Sequence, residues 1–108
     1  MPATNQLAIL CISAIFLLSA FDGNTSEQHQ THVVEIKQMS FVPKKLTVSA
    51  GDTVKWINRD LVAHNVSSEH WESPDLEQGE HFAVEVSGNA SYKCSLHPVM
   101  KGVVSVKK

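Results

Sequence analysis

From His32 onward, apolar and polar residues alternate: Val34 and Ile36 are set against Glu35 and Lys37, Leu46 and Val48 follow, and then Val54 and Trp56. A period of two belongs to half-buried strands, whose successive side chains point to opposite faces of a sheet. Pro43 and the run Ala50-Gly51-Asp52 interrupt the alternation where turns are needed, Gly51 being free to take positive φ. Further along, Phe82, Val84 and Val86 alternate with Ala83 and Glu85, and Ser87-Gly88-Asn89 predicts a turn. Tyr92 and Cys94 share one face of the next strand, and Val104 and Val106 continue the pattern to the end. Nothing in this region repeats every 3.6 residues, and short strands at intervals of roughly 8 to 12 residues predict an all-β fold, an antiparallel β-sandwich. Ser67 to Gly79 lacks alternation and predicts a loop, with a short helical turn begun by Ser73-Pro74.

Ahead of the strands lies one long uncharged apolar run, Leu7 to Ala20 (LAILCISAIFLLSA). It falls short of the ~20 residues of a spanning helix. Its place at the N-terminus and the small residues Ser19 and Ala20 at its far end match a secretory signal peptide cleaved after Ala20. The first six residues hold no Lys or Arg, which leaves an uncleaved anchor as the alternative. Cys11 serves there as one more apolar residue. Asp22 to Thr31 is polar without periodicity. The organisation expected is therefore a signal over 1–20, a flexible leader over 21–31, and one domain over 32–108, with His29 and His32 solvated at the junction.

Composition narrows the partners. Among 108 residues, 9 are basic and 11 acidic, giving a net charge of −2. That is one domain without the basic footprint of a nucleic-acid binder. Removal of Cys11 with the signal leaves Cys94 alone. In an exported chain a single cysteine is buried and inert, paired between chains, or a metal ligand.

Cys94-Ser95-Leu96-His97-Pro98-Val99-Met100 places a thiolate, an imidazole and a thioether three residues apart. Ligands of one ion lie within about 4 Å of each other, whereas three extended residues reach about 10 Å. The segment must fold tightly, and Pro98 restricts its freedom just after His97. A thiolate with a thioether is a soft set that suits copper; zinc is the rival, but methionine adds nothing to a zinc site. Two histidines and a cysteine with a weak axial methionine describe a blue-copper site, and His64, in the break after the Trp56 strand, is the candidate for the second histidine. His70 and His81 read as surface residues, and Trp56 as core.

Asp52 to Asn58 (DTVKWIN), Ala63 to Val66 (AHNV), Ser91 to Met100 (SYKCSLHPVM) and the closing GVVSV resemble the cupredoxins, the type 1 blue-copper proteins, over about Val33 to Lys107. The plastocyanin, pseudoazurin and amicyanin group is similar, and the two-residue gap from His97 to Met100 resembles the amicyanins. The resemblance implies a Greek-key sandwich with copper held by His64, Cys94, His97 and Met100, and Asn65 tying the His64 loop to the Cys94 loop. With the signal over 1–20 and a site whose coordination positions are all filled by protein, the expectation is a periplasmic or otherwise exported one-electron carrier, not an enzyme. The Ser67 to Gly79 loop is individual, so the family's partner is not carried over; the partners expected are a redox-protein donor and acceptor, with a dehydrogenase or a c-type cytochrome as candidates, met by a monomer without a membrane span after signal removal. A copper carrier or storage module is the alternative. Leu96 stands where the family commonly has proline, and its N–H is expected to reach the Cys94 sulfur. Leu61, Val62, Ala63, Leu96, Pro98 and Val99 are expected to form an apolar patch around His97. No Lys or Arg occurs between Arg59 and Lys93, which predicts an acidic flank.

Overall fold

The computed structural model describes residues 28–107. The proposed signal peptide and most of the leader lie outside them. Eight strands form in chain order: β1 (Thr31–Lys37), β2 (Ser40–Val42), β3 (Lys45–Ser49), β4 (Thr53–Asn58), β5 (Ser67–Ser68), β6 (His81–Glu85), β7 (Ala90–Lys93) and β8 (Lys101–Lys107). They make two four-stranded sheets, ordered β2-β1-β4-β6 and β3-β8-β7-β5. This is the sandwich that the alternation predicts. Its pairing is mixed, because β1 lies parallel to β4 and β3 parallel to β8. Parallel neighbours need a crossover connection. Here β1 reaches β4 only after the chain has visited the other sheet as β3, and side-chain periodicity carries no trace of strand direction.

The inward positions are those of the sequence pattern: Val34, Ile36, Val48, Val54, Trp56, Val86, Tyr92, Cys94 and Val104 are all buried. Trp56 of one sheet meets Tyr92 of the other edge-on, their ring centroids 5.2 Å apart, and Phe41 meets Tyr92 at 4.8 Å. Such edge-to-face pairs add to the ~1.5–3 kcal/mol from burying each large side chain. Tyr92 lies opposite Gly102 in the β7–β8 register, where any Cβ would collide with its ring. Two strands were invisible in the pattern. β2 is too short to alternate, although Phe41 within it is core, and β5 has only two serines.

The loop after β5 holds no helical turn at Ser73-Pro74. Instead, His64 to Val66 and Ser73 to Leu76 face each other through backbone bonds from Ser73 N–H to the Val66 carbonyl (2.9 Å) and Leu76 N–H to the His64 carbonyl (2.7 Å). The Ser73 hydroxyl accepts the Val66 N–H at 2.8 Å. A helix there would take these groups away from the strand-like pairing. Trp71, from the same loop, packs 5.7 Å from Trp56.

Residues assigned to the leader are already part of the fold, since β1 begins at Thr31 and Gln30 and His32 are bound by Asp52. The Asp52 carboxylate accepts the Gln30 N–H (3.0 Å), the His32 Nε2–H (2.9 Å) and the Ser49 N–H (3.0 Å). His29 Nδ1 stands 3.9 Å from the same group. These donors, the Gln30 N–H foremost, lower its pKa from 3.8 to about 2. A carboxyl depressed on folding stabilises the fold above its unfolded pKa, and that contribution is lost as pH falls toward the folded value. In acid titration followed by circular dichroism, the wild type should therefore lose stability between about pH 4 and 2, whereas Asp52→Asn should start less stable and lose less in that window. Coinciding acid limbs would show that this knot contributes nothing.

Candidate metal centre

The site forms where three loops meet at one end of the sandwich. Asn58, the last residue of β4, is fully buried and its amide donates to the Val62 carbonyl (2.9 Å) and the Leu76 carbonyl (2.8 Å), while its Oδ1 accepts the Asp60 N–H (2.9 Å). A buried amide satisfied this fully fixes the path of the chain from β4 to His64. His64 itself is 0% exposed.

Cys94 follows β7 and Met100 precedes β8. The intervening loop closes on itself: Cys94 N–H bonds the Met100 carbonyl (3.1 Å), His97 N–H the Cys94 carbonyl (3.2 Å) and Met100 N–H the His97 carbonyl (2.9 Å). The last is a turn with Pro98 at its second position, where the fixed φ of proline is favoured. Two tight turns in succession thus replace the ~10 Å per three residues of an extended chain.

Cys94 Sγ consequently lies 3.8 Å from His64 Nδ1 and 3.8 Å from His97 Nδ1, and the three donor atoms all fall within 4.8 Å of one another. Metal–nitrogen and metal–sulfur bonds of about 2.0 and 2.3 Å fit inside such a triangle. Met100, 3% exposed, closes the same loop. The sequence-predicted residues are therefore brought to one place, three of them shown by donor-atom distances and Met100 by its position in the loop. His97 alone of the four is half-buried; the other three are buried.

Asn65 ties the loops as the resemblance implied. Its amide donates to Ser95 Oγ (2.7 Å) and Asp75 Oδ1 (3.1 Å), and its Oδ1 accepts the Ser95 N–H (2.7 Å). Its backbone N–H points at Cys94 Sγ at 3.5 Å. Among the described residues this N–H, and not that of Leu96, reaches the sulfur. Leu96 lies on the outer limb of the turn, 46% exposed.

Asp60 was not singled out in the sequence. Its Oδ2 accepts the His64 Nε2–H at 2.9 Å. A proton held on Nε2 leaves Nδ1 bare and aimed at the thiol, the arrangement by which a carboxylate orients a histidine toward a metal. Desolvation raises the Asp60 pKa, but the Met39 N–H, His64 and the Gln38 N–H outweigh it and the net shift is downward. The available signal was the i, i+4 spacing of Asp60 and His64. His70 and His81 are exposed and apart from the site, as read.

A β-sandwich that gathers imidazole, thiol and imidazole at the mouth of a buried Cys–Met loop defines a soft-ligand metalloprotein. The chain belongs to the cupredoxin family: the Cupredoxin-like domain model matches residues 8–106. It is 32% identical to amicyanin of Paracoccus denitrificans over 84 residues, 69% of this chain and 64% of that protein. With amicyanin-alpha of Methylorubrum extorquens it shares 31% over 110 residues, 94% of this chain and 92% of that one. Among solved structures it superposes on the Cu-containing nitrite reductase of Thermus scotoductus SA-01 with a TM-score of 0.69 and 26% identity, covering 80% of this chain but 24% of that enzyme. The chain thus spans a little under two thirds of the Paracoccus amicyanin. As an amicyanin-like cupredoxin it takes one copper ion, and the donor triangle fits that ion.

Asn65→Ala should lower the stability of the copper-free protein by about 1–3 kcal/mol, the cost of leaving hydrogen-bond partners unsatisfied. For a domain this size that is a fall of several degrees in Tm. An unchanged Tm would show that the two loops hold each other without it.

Proposed function

We propose that the protein is an exported one-electron carrier whose copper is held by His64, Cys94, His97 and Met100. The observation that carries this reading is the donor triangle already closed within 4.8 Å in the folded chain. Bound there, copper supplies a single reversible electron between Cu(II) and Cu(I). Asn58, Asn65 and the two turns of the Cys94–Met100 loop are all saturated by internal hydrogen bonds, so no side chain has to move when the charge at the site changes. Donation from the Asn65 N–H withdraws density from the sulfur, which favours the reduced state. With two imidazoles, a thiolate and a thioether filling the coordination positions, no position stays open for a substrate, and the reading is of a carrier and not an enzyme.

His97 offers the route in. On the two ligand loops, Leu61 is 84% exposed, Val62 50%, Leu96 46% and Val99 87%. Exposed apolar groups clustered by a redox centre suit a brief encounter that buries under about 1,200 Å². Glu69, Glu72, Asp75, Glu77, Glu80 and Glu85 are exposed along the stretch that lacks basic residues, a charge distribution suited to steering a cationic partner such as a c-type cytochrome. Export follows from the reading of residues 1–20 as a signal. No helix among the described residues is long and apolar enough to cross a membrane.

The copper-loaded protein should show an intense thiolate-to-Cu(II) band in the visible, abolished in Cys94→Ser and retained with an altered potential in Met100→Leu; colour surviving in Cys94→Ser would overturn the ligand set. Val99→Glu should leave that spectrum intact and slow electron exchange with the isolated redox partner by about tenfold, some 1.4 kcal/mol. Unchanged rates would move the docking surface elsewhere.

A further inference from the structure

The connection between β1 and β2 has two residues, Gln38 and Met39, with Lys37 paired to Ser40 across it. Both take positive φ, 53° and 60°. That combination is the type I′ hairpin turn, which asks for asparagine, aspartate or glycine at both positions because other side chains crowd the backbone there. Gln and Met are poor choices, and Met39, 44% exposed, is not held by burial. Something outside the turn must hold it.

That holder is Asp60. Its Oδ1 accepts the Gln38 N–H at 2.7 Å and its Oδ2 the Met39 N–H at 3.0 Å. The two adjacent N–H groups of the turn converge on one carboxylate, as in the backbone concavities that bind anions. The same Oδ2 accepts the His64 Nε2–H. Arg59 N–H bonds the Ile36 carbonyl at 2.8 Å, so the backbone of β1 is also pinned just ahead of Asp60. The carboxylate is thus fixed on one side by the turn and on the other fixes an imidazole.

We propose that the Gln38–Met39 turn positions the copper ligand His64, acting through Asp60. The strained pair is kept because it presents two N–H groups to the carboxylate, and the imidazole is oriented as a result. Gln38 and Met39 touch no metal; they are positioning residues. This rests on His64 being a ligand. Coupling of this kind is reciprocal, so a metal that fixes His64 must also quiet the turn.

The test uses amide hydrogen exchange at Gln38 and Met39 in the copper-free and Cu(I)-loaded protein. Loading should slow exchange at both amides in the wild type and lose that effect in Asp60→Ala. A second arm inserts two glycines between Gln38 and Met39, which keeps the hairpin but removes the paired N–H groups, and measures the reduction potential and the Cu(II) EPR signal. The insertion should shift both in the wild type and add nothing in the Asp60→Ala background, while the double variant Gln38→Asn, Met39→Gly, which suits the turn, should keep both at wild-type values and melt higher. Copper that binds with its thiolate band but leaves the two amides unchanged overturns the proposal while sparing the ligand assignment. So does an insertion that shifts the potential equally with or without Asp60. Absence of the thiolate band would instead fail the ligand assignment itself.

Discussion

The structure depends on a geometric demand: donor atoms from residues thirty positions apart must lie within about 4 Å. Cys94 sits on a strand end of one sheet and His64 on the loop leaving the other, so neither sheet alone can make the site. Asn65 meets the demand by three hydrogen bonds at 2.7, 3.1 and 2.7 Å that join its loop to Ser95 and to Asp75. Its backbone adds a fourth contact, to the sulfur itself. The remaining architecture can be ordered by its distance from that clamp. Asn58 fixes where the His64 loop begins, and the paired turns at Cys94, His97 and Met100 fix where the other loop returns to β8.

Two aspartates repeat one device at opposite ends of β4. Asp52, just before Thr53, takes two backbone N–H groups and His32 Nε2; Asp60, two residues past Asn58, takes two backbone N–H groups and His64 Nε2. Each thereby ties an end of β1 to an end of its parallel neighbour β4, a pairing with no direct turn to hold it. The chemistry of the two histidines diverges at the other ring nitrogen. His64 presents Nδ1 to a buried thiol, whereas among the described residues His32 belongs to no such donor group. A carboxylate–histidine pair is therefore a piece of scaffold until a second donor faces it, which is why a lone histidine near an acid is weak evidence for a metal.

How much was legible from sequence follows from the range of each signal. Alternation marked the inward faces of β1, β4, β7 and β8 because burial acts on every second residue, but it left strand direction open and missed β2 and β5, which span three residues and two. The C-x2-H-x2-M string is local, so Cys94, His97 and Met100 could be read together, and His64 could be added because the string was one imidazole short. The Gln38–Met39 turn reaches Asp60 across more than twenty residues, and nothing in the composition of QM announces a turn. The expected Leu96 N–H failed for the same reason in reverse. Closeness in sequence to Cys94 suggested a bond that the turn geometry gives instead to Asn65, twenty-nine residues away.

Rigidity of the site and exposure of its edge are in tension, and the fold separates them by residue. His64, Cys94 and Met100 are sealed, with 0%, 0% and 3% exposure, so most of the donor set is insulated from water. A fully sealed site would also be out of reach of any partner. His97 resolves the conflict, being the residue between the two turns of the ligand loop: its Nδ1 faces inward to Cys94 Sγ, while it is half-buried and its loop neighbours Leu96, Pro98 and Val99 are exposed. Because those three apolar neighbours are carried on the same hydrogen-bonded turns that place the ligand, the proposed docking surface and the donor geometry are set by one short segment. A substitution there that preserves the backbone turns changes the surface alone, whereas one that breaks them changes both the surface and the donor geometry, all within a loop of seven residues.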